Sequence, residues 1–159
     1  MIIREVKEVF LRKSSFTLSA DTNAYTPDGM NLRSLSHNRI VGVLVAEQYE
    51  DKSPNKVVIR TCFFRILCII KAIEAVGNPD TAKVLFEIEA EYDVGFDADS
   101  ELEVEELEAF SSDDVISNAA WPYWKEHVSS LCSKAGLILP QIPAAQKNAI
   151  LKITSKQLL

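Results

Sequence analysis

The sequence holds little of what covalent chemistry usually needs. Its 159 residues include only two histidines, His37 and His127, and three cysteines, Cys62, Cys68 and Cys132. The cysteine count is odd and no Cys-x-x-Cys pair occurs, so the plain reading is buried free thiols in a reducing compartment. Cys62 and Cys68 fall on one face of an expected strand, yet six residues of strand separate them by about 20 Å, too far to share an ion within one chain. No His-Glu-x-x-His spacing is present, which leaves no metal site in view. Five glycines form no phosphate-cradling loop, and this argues against ATP-driven work. Neither histidine is placed by sequence beside a nucleophile. His37 sits among turn formers and reads as solvated, and His127 reads as structural.

Long apolar runs are missing too. The most apolar stretch, Cys62 to Ile73, is broken by Arg65 and Lys71, too short and too charged to span a bilayer. The N-terminus shows no apolar h-region behind basic residues, so no signal peptide is expected. A basic cluster is also lacking. With 17 Lys and Arg against 23 Asp and Glu the formal charge is −6, and scattered residues such as Arg4, Lys7, Arg12 and Lys13 make no counterion-displacing face for nucleic acid.

What remains is ordinary globular composition, 47% hydrophobic and 25% charged, at the usual length of one domain, 1–159. Val6 to Leu18 mixes apolar and charged residues in short alternation and reads as a strand. Asp21 to Asn38 contains Asn23, Pro27, Asp28, Gly29 and Asn31 and reads as a long loop, a length often tied to function. Arg39 to Tyr49 is β-rich, Asp51 to Asn55 a turn, and Val57 to Glu74 the longest β-like run. Ala82 to Val94 alternates most clearly: Val84, Phe86, Ile88, Ala90, Tyr92 and Val94 on one face, Leu85, Glu87, Glu89, Glu91 and Asp93 on the other. That period marks a half-buried antiparallel strand. The carboxylate row would repel itself unless a partner or cation offsets it, and reads as a solvated edge or a docking surface for basic groups.

Helical signals follow. Ser100 and Glu103 have capping-box spacing ahead of Val104, Leu107 and Phe110. A second helix is expected from about Asp113, with Trp124, Val128, Leu131 and Ala135 as its apolar stripe, Gly136 as its C′ residue and Pro122 kinking or restarting it. Leu137 to Pro143 is a Pro-bounded connector, and Ala144 to Leu159 a last helix. Strands first and helices last indicate an α+β domain.

The segment Asn118-Ala-Ala-Trp-Pro-Tyr-Trp-Lys-Glu-His-Val-Ser-Ser130 resembles the core-helix signature of the SecB-family chaperones. Gly136-Leu-Ile-Leu-Pro-Gln-Ile142 resembles that family's connector. Val9-Phe10, Ser15-Phe16 and Leu85-Phe86-Glu87-Ile88 are similar to its first and fourth strands. The acidic runs Phe86 to Val94 and Glu105 to Phe110 resemble the SecB-like chaperones that accompany toxin–antitoxin pairs.

The resemblance implies a Greek-key-like four-stranded antiparallel sheet with a long first crossover, then a short acidic helix, a core helix and a C-terminal helix. It implies a cytoplasmic, ATP-independent holdase without cofactor, assembled as a dimer-of-dimers homotetramer and holding unfolded polypeptides in an apolar groove. Tyr25, Met30, Leu32 and Leu35 form one candidate wall of that groove, or else fold back on the chain's own core. Leu151, Ile153 and Leu158 form the other wall. Trp121, Tyr123, Trp124, Val128 and Leu131 are expected in the core or the oligomer interface.

Export-type members carry a C-terminal zinc-binding tail that docks on SecA, and no such tail is seen before Leu159. Their acidic first-strand contacts fall here on Lys13 and Thr17, whereas Leu85 and Glu87 match the other contact positions. The resemblance therefore implies client holding more firmly than SecA coupling. Three readings follow: a holdase, including one for protein export; a chaperone dedicated to one antitoxin; or, from another class, a small α+β enzyme.

Overall fold

The computed structural model describes residues 3–19, 32–50, 53–75, 77–98, 103–111, 115–137, 139–140 and 142. Strands β1 (Ile3–Leu18), β2 (Leu32–Glu50), β3 (Ser53–Glu74) and β4 (Val84–Ala98) precede helices α1 (Val104–Ser111) and α2 (Val115–Ala135). The strands form one antiparallel sheet in the order β1-β4-β3-β2. β2, β3 and β4 follow one another as neighbours, while β1 lies beside β4, the Greek-key arrangement in which the β1–β2 connection crosses the sheet. This is the expected α+β fold. The C-terminal helix expected over Ala144 to Leu159 lies outside the described residues.

Alternation sorts the sheet into two faces. On β4 the even-numbered side chains Phe86, Ile88, Ala90, Tyr92, Val94 and Phe96 are buried beneath the helices, with Cys62, Phe64, Ile66, Cys68 and Ile70 of β3 beside them. α1 closes one end of this core: Phe110 sits 5.3 Å from Phe64 and 5.1 Å from Phe96, ring centre to ring centre. α2 covers the rest through Ile116, Ala120, Trp124, Val128 and Cys132. Those positions recur every four residues, one stripe of a helix. The expected stripe was partly displaced: Cys132 is buried in it, whereas Leu131 and Ala135 are half-buried at its margin.

Several expected boundaries move. β2 begins at Leu32, so Leu32, Leu35 and His37 stand on a strand and not in the crossover loop. Its residues Arg33 to Arg39 are polar on both faces and rich in turn formers, but they pair residue for residue with Ile73 to Leu67 of β3. Ladder formation overrides weak local preference there. β1 starts at Ile3, β3 already at Ser53, inside the expected turn, and β4 runs on to Ala98.

α1 starts at Val104 and not beside Ser100, with Glu103 as the N-cap residue. Glu106 reaches back to accept the Glu103 backbone N–H at 3.4 Å, half of a capping box. α2 runs unbroken through Pro122, so that residue does not restart the helix. Gly136 closes α2 at φ 67°, as expected of a C′ glycine. The Leu137 N–H reaches Cys132 O at 2.9 Å and the Gly136 N–H reaches Ser133 O at 3.2 Å, the paired bonds of a Schellman cap.

Candidate functional site

On the sheet face away from the helices, β4 carries Glu87, Glu89, Glu91, Asp93 and Asp97, each flanked by β1 and β3. The expected self-repulsion is offset from within the chain. Lys71 pairs with Glu87 at 2.8 Å, Lys13 with Glu89 at 3.5 Å and Lys7 with Asp97 at 3.3 Å. Asp93 is not part of a solvated row: it is 2% exposed. Arg65 donates to it at 2.7 and 2.9 Å and Arg12 at 2.7 Å. Burial pushes its carboxyl up, but the hydrogen bonds and charges of Arg65 and Arg12 outweigh this and hold it below the ordinary value. The hydrogen bond to Asp93 is also the main cause that raises Arg65.

Apolar groups share this face. Phe63 lies over the β4 backbone at Gly95, where an added Cβ would stand 2.8 Å from its ring. Phe10 sits 6.4 Å from Phe63, with the Arg12 guanidinium 5.3 Å from the Phe10 ring. On edge strand β1, Phe10 on this face and Val6, Leu11 and Leu18 on the helix side, opposite Phe96, Tyr92 and Phe86, are all well exposed for their type. Reading the sequence for a groove missed Phe10 and Leu11. Two adjacent apolar residues on a strand must point to opposite faces, and on an edge strand that exposes them; the edge position is what the sequence does not state.

The expected groove residues disperse. Tyr25, Met30, Leu151, Ile153 and Leu158 lie outside the described residues. Leu32 is half-buried against the core, and Leu35 is exposed. Three residues apart on a strand, the two point to opposite faces and do not form one wall. Leu85 is buried, and Glu87 is half-buried and held by Lys71. Both line a shallow depression of about 260 Å³ with Thr17, Ser19, Val84 and Phe86, where β1 ends.

On α2, Trp124 and Val128 are core residues, and Leu131 packs at the core margin. Tyr123 is 51% exposed and Trp121 half-buried, with the Lys125 ammonium 5.0 Å from the Trp121 ring. Trp124 Nε1 and Asn38 Oδ1 are buried without a partner among the described residues.

Two polar contacts fasten α2 to the sheet. Tyr92 donates to the Tyr123 carbonyl at 3.4 Å, and His127 Nε2 lies 2.7 Å from Ser14 Oγ. Burial lowers the His127 pKa, Lys134 adding to this and Glu126 opposing it. Sequence reasoning could not place this serine beside the histidine, because 113 residues separate them. Burial pushes the thiols up, Cys62 and Cys132 to about 11 and Cys68 to about 12, which favours the protonated thiol over the nucleophilic thiolate at neutral pH. Among the described residues, no cluster of His, Cys, Asp and Glu could hold a metal ion, and no helix is long and apolar enough to cross a membrane.

No family model matches the chain, and no curated protein matches it in sequence. Among solved structures it is similar to the Mycobacterium tuberculosis SecB-like chaperone Rv1957 in complex with a ChAD peptide from the HigA1 antitoxin. The TM-score is 0.59 at 17% identity, covering 87% of this chain and 90% of that chain. The two share a fold, the SecB-like one expected from the sequence.

Proposed function

We propose that this protein is an ATP-independent holdase chaperone of the SecB-like kind, which binds unfolded polypeptides on apolar surface and performs no covalent chemistry. The observation that carries the reading is the fold shared with a chaperone solved in complex with a peptide. Exposed Leu35 of β2 and Tyr123 of α2 supply surface of the required kind. Burying such surface yields roughly 25 cal/mol per Å², against the entropy of ordering the client. One site is therefore weak. Several sites on a homotetramer, a dimer of dimers, would raise avidity by about 10²–10⁴.

β1 is the edge we assign to self-assembly, because an exposed, apolar edge strand is a ready template for pairing. Tyr25, Met30, Leu151, Ile153 and Leu158 remain proposed client contacts. The buried free thiols suit a reducing cytoplasm. The Ser14–His127 contact is assigned a structural role, tying α2 to β1.

The test is light scattering of a slow-folding client without nucleotide. Aggregation should be suppressed at about one oligomer per client chain, since multivalent capture needs no turnover. Unaltered aggregation at excess would overturn the reading.

The antitoxin peptide in the similar structure favours a second reading, in which the client is the antitoxin of a toxin–antitoxin pair. Co-expression with an antitoxin encoded beside it should then raise that partner's half-life and leave unrelated clients untouched. Export through SecA docking on Leu85 and Glu87 has less support, since Leu85 is buried and Glu87 is engaged by Lys71.

A further inference from the structure

The two edges of the sheet differ in charge balance. On β1 the cations Lys7, Arg12 and Lys13 are matched by Asp97, Asp93 and Glu89 of β4. On β2 the exposed residues Arg33, His37 and Arg39 lie on the face away from the helices, with exposed Leu35 between them. Arg33 and Arg39 make no ion pair among the described residues. This is a local basic row in a chain of formal charge −6. It stands on a 19-residue strand laddered to β3 alone among the described strands. Among the described residues no strand pairs with its other edge, where backbone N–H and C=O groups could receive a newcomer.

The fold itself contains the kind of strand that suits such an edge. β4 alternates carboxylates with apolar residues, and in the ladder its Glu87 and Glu89 meet Lys71 of β3 and Lys13 of β1 on this same face.

We propose that the β2 edge over Leu32–Arg39 accepts an extended client segment as a fifth strand, and that the segment chosen has carboxylates at alternate positions. Backbone pairing supplies sequence-independent affinity, and carboxylates opposite Arg33 and Arg39 supply the preference. The inference rests on the holdase reading and specifies the client chemistry at one of its sites.

Fluorescence anisotropy with nine-residue peptides alternating valine and glutamate tests it. Exposed arginine–carboxylate pairs contribute modestly, so exchanging every glutamate for glutamine should weaken binding about three- to tenfold. N-methylation of alternate amides on the edge facing β2 should abolish binding, because it removes the ladder donors. The double variant Arg33→Ser, Arg39→Ser should bind the glutamate and glutamine peptides equally, with no change in its far-UV circular dichroism.

Equal binding of glutamate, glutamine and lysine peptides to the unaltered protein would overturn the inference. So would undiminished binding of the N-methylated peptide, or a single-stranded oligonucleotide that displaces a peptide insensitive to its own charge. Client aggregation is measured separately on the unaltered protein. Suppression without peptide charge preference sinks this inference and leaves the holdase reading standing, whereas no suppression sinks the holdase reading itself.

Discussion

Asp93 is a buried charge held by two arginines. Its side chain is 3% exposed, while those of Arg12 and Arg65 are 49% and 39% exposed. The arginines can turn to water if the carboxylate is lost, and the cost is correspondingly less than for a fully buried pair. Asp93→Asn should destabilise the protein by about 2–3 kcal/mol, read as a shift in the urea midpoint.

The pH dependence has a defined sign. Asp93 sits below its ordinary 3.8, so its contribution is complete above that value and is lost as pH falls through the folded pKa. His127 is lowered from 6.5 by burial, so its contribution is complete above 6.5 and fades as pH drops below it. Acid therefore weakens the fold through His127 first. The urea midpoint should decline as pH falls below about 6.5, and His127→Gln should flatten that decline. An unchanged slope in the variant would show that other groups set it.

At the scale of elements, β4 organises the molecule. It pairs with β1 and β3 and places core residues on one face and countered carboxylates on the other. Gly95 and Gly136 show two different limits on the sequence. At Gly95 the limit is space: a Cβ would meet Phe63 at 2.8 Å and Glu8 at 3.1 Å. Gly95→Val should cost about 1–3 kcal/mol by overpacking, with Phe63 displaced from the strand. At Gly136 the limit is φ, and Gly136→Ala should cost about 1 kcal/mol while the Schellman bonds hold. Thermal unfolding followed by circular dichroism separates the two, since only the Gly95 change also alters the near-UV aromatic signal.

For the whole molecule, the question is what the protomer leaves unfinished. β1 and β2 are both edges of the described sheet; on the first, Lys7, Arg12 and Lys13 pair with carboxylates of β4, and on the second, Arg33 and Arg39 make no ion pair among the described residues. Such edges are normally covered, shortened or charged against aggregation. The division proposed here gives the β1 edge to self-assembly and the β2 edge to clients. Native mass spectrometry should then find tetramers, and a Phe10→Glu, Leu11→Lys double variant should shift them towards smaller species while the fold survives. A bare monomer of the unaltered protein would remove the avidity on which weak client binding depends.

The alternation of Phe86 to Val94, the Gly136 cap and the apolar recurrence on α2 were legible by themselves, because period and backbone geometry are local properties of a chain. The first half of β2 was not. Ser34, Ser36 and Asn38 favour turns in isolation, and only the ladder to β3 makes them a strand. The burial of Asp93 was hidden in the same way: Arg65 is 28 residues distant and Arg12 81. Leu32 and Leu35 look like neighbours in a list of apolar residues, yet the strand sends them to opposite faces. Sequence alone determined the class of the fold and the absence of familiar catalytic spacings. Tertiary structure decided which charges are spent inside the molecule and which strands form the edges of the described sheet, since both depend on contacts between residues that only pairing of the strands brings together.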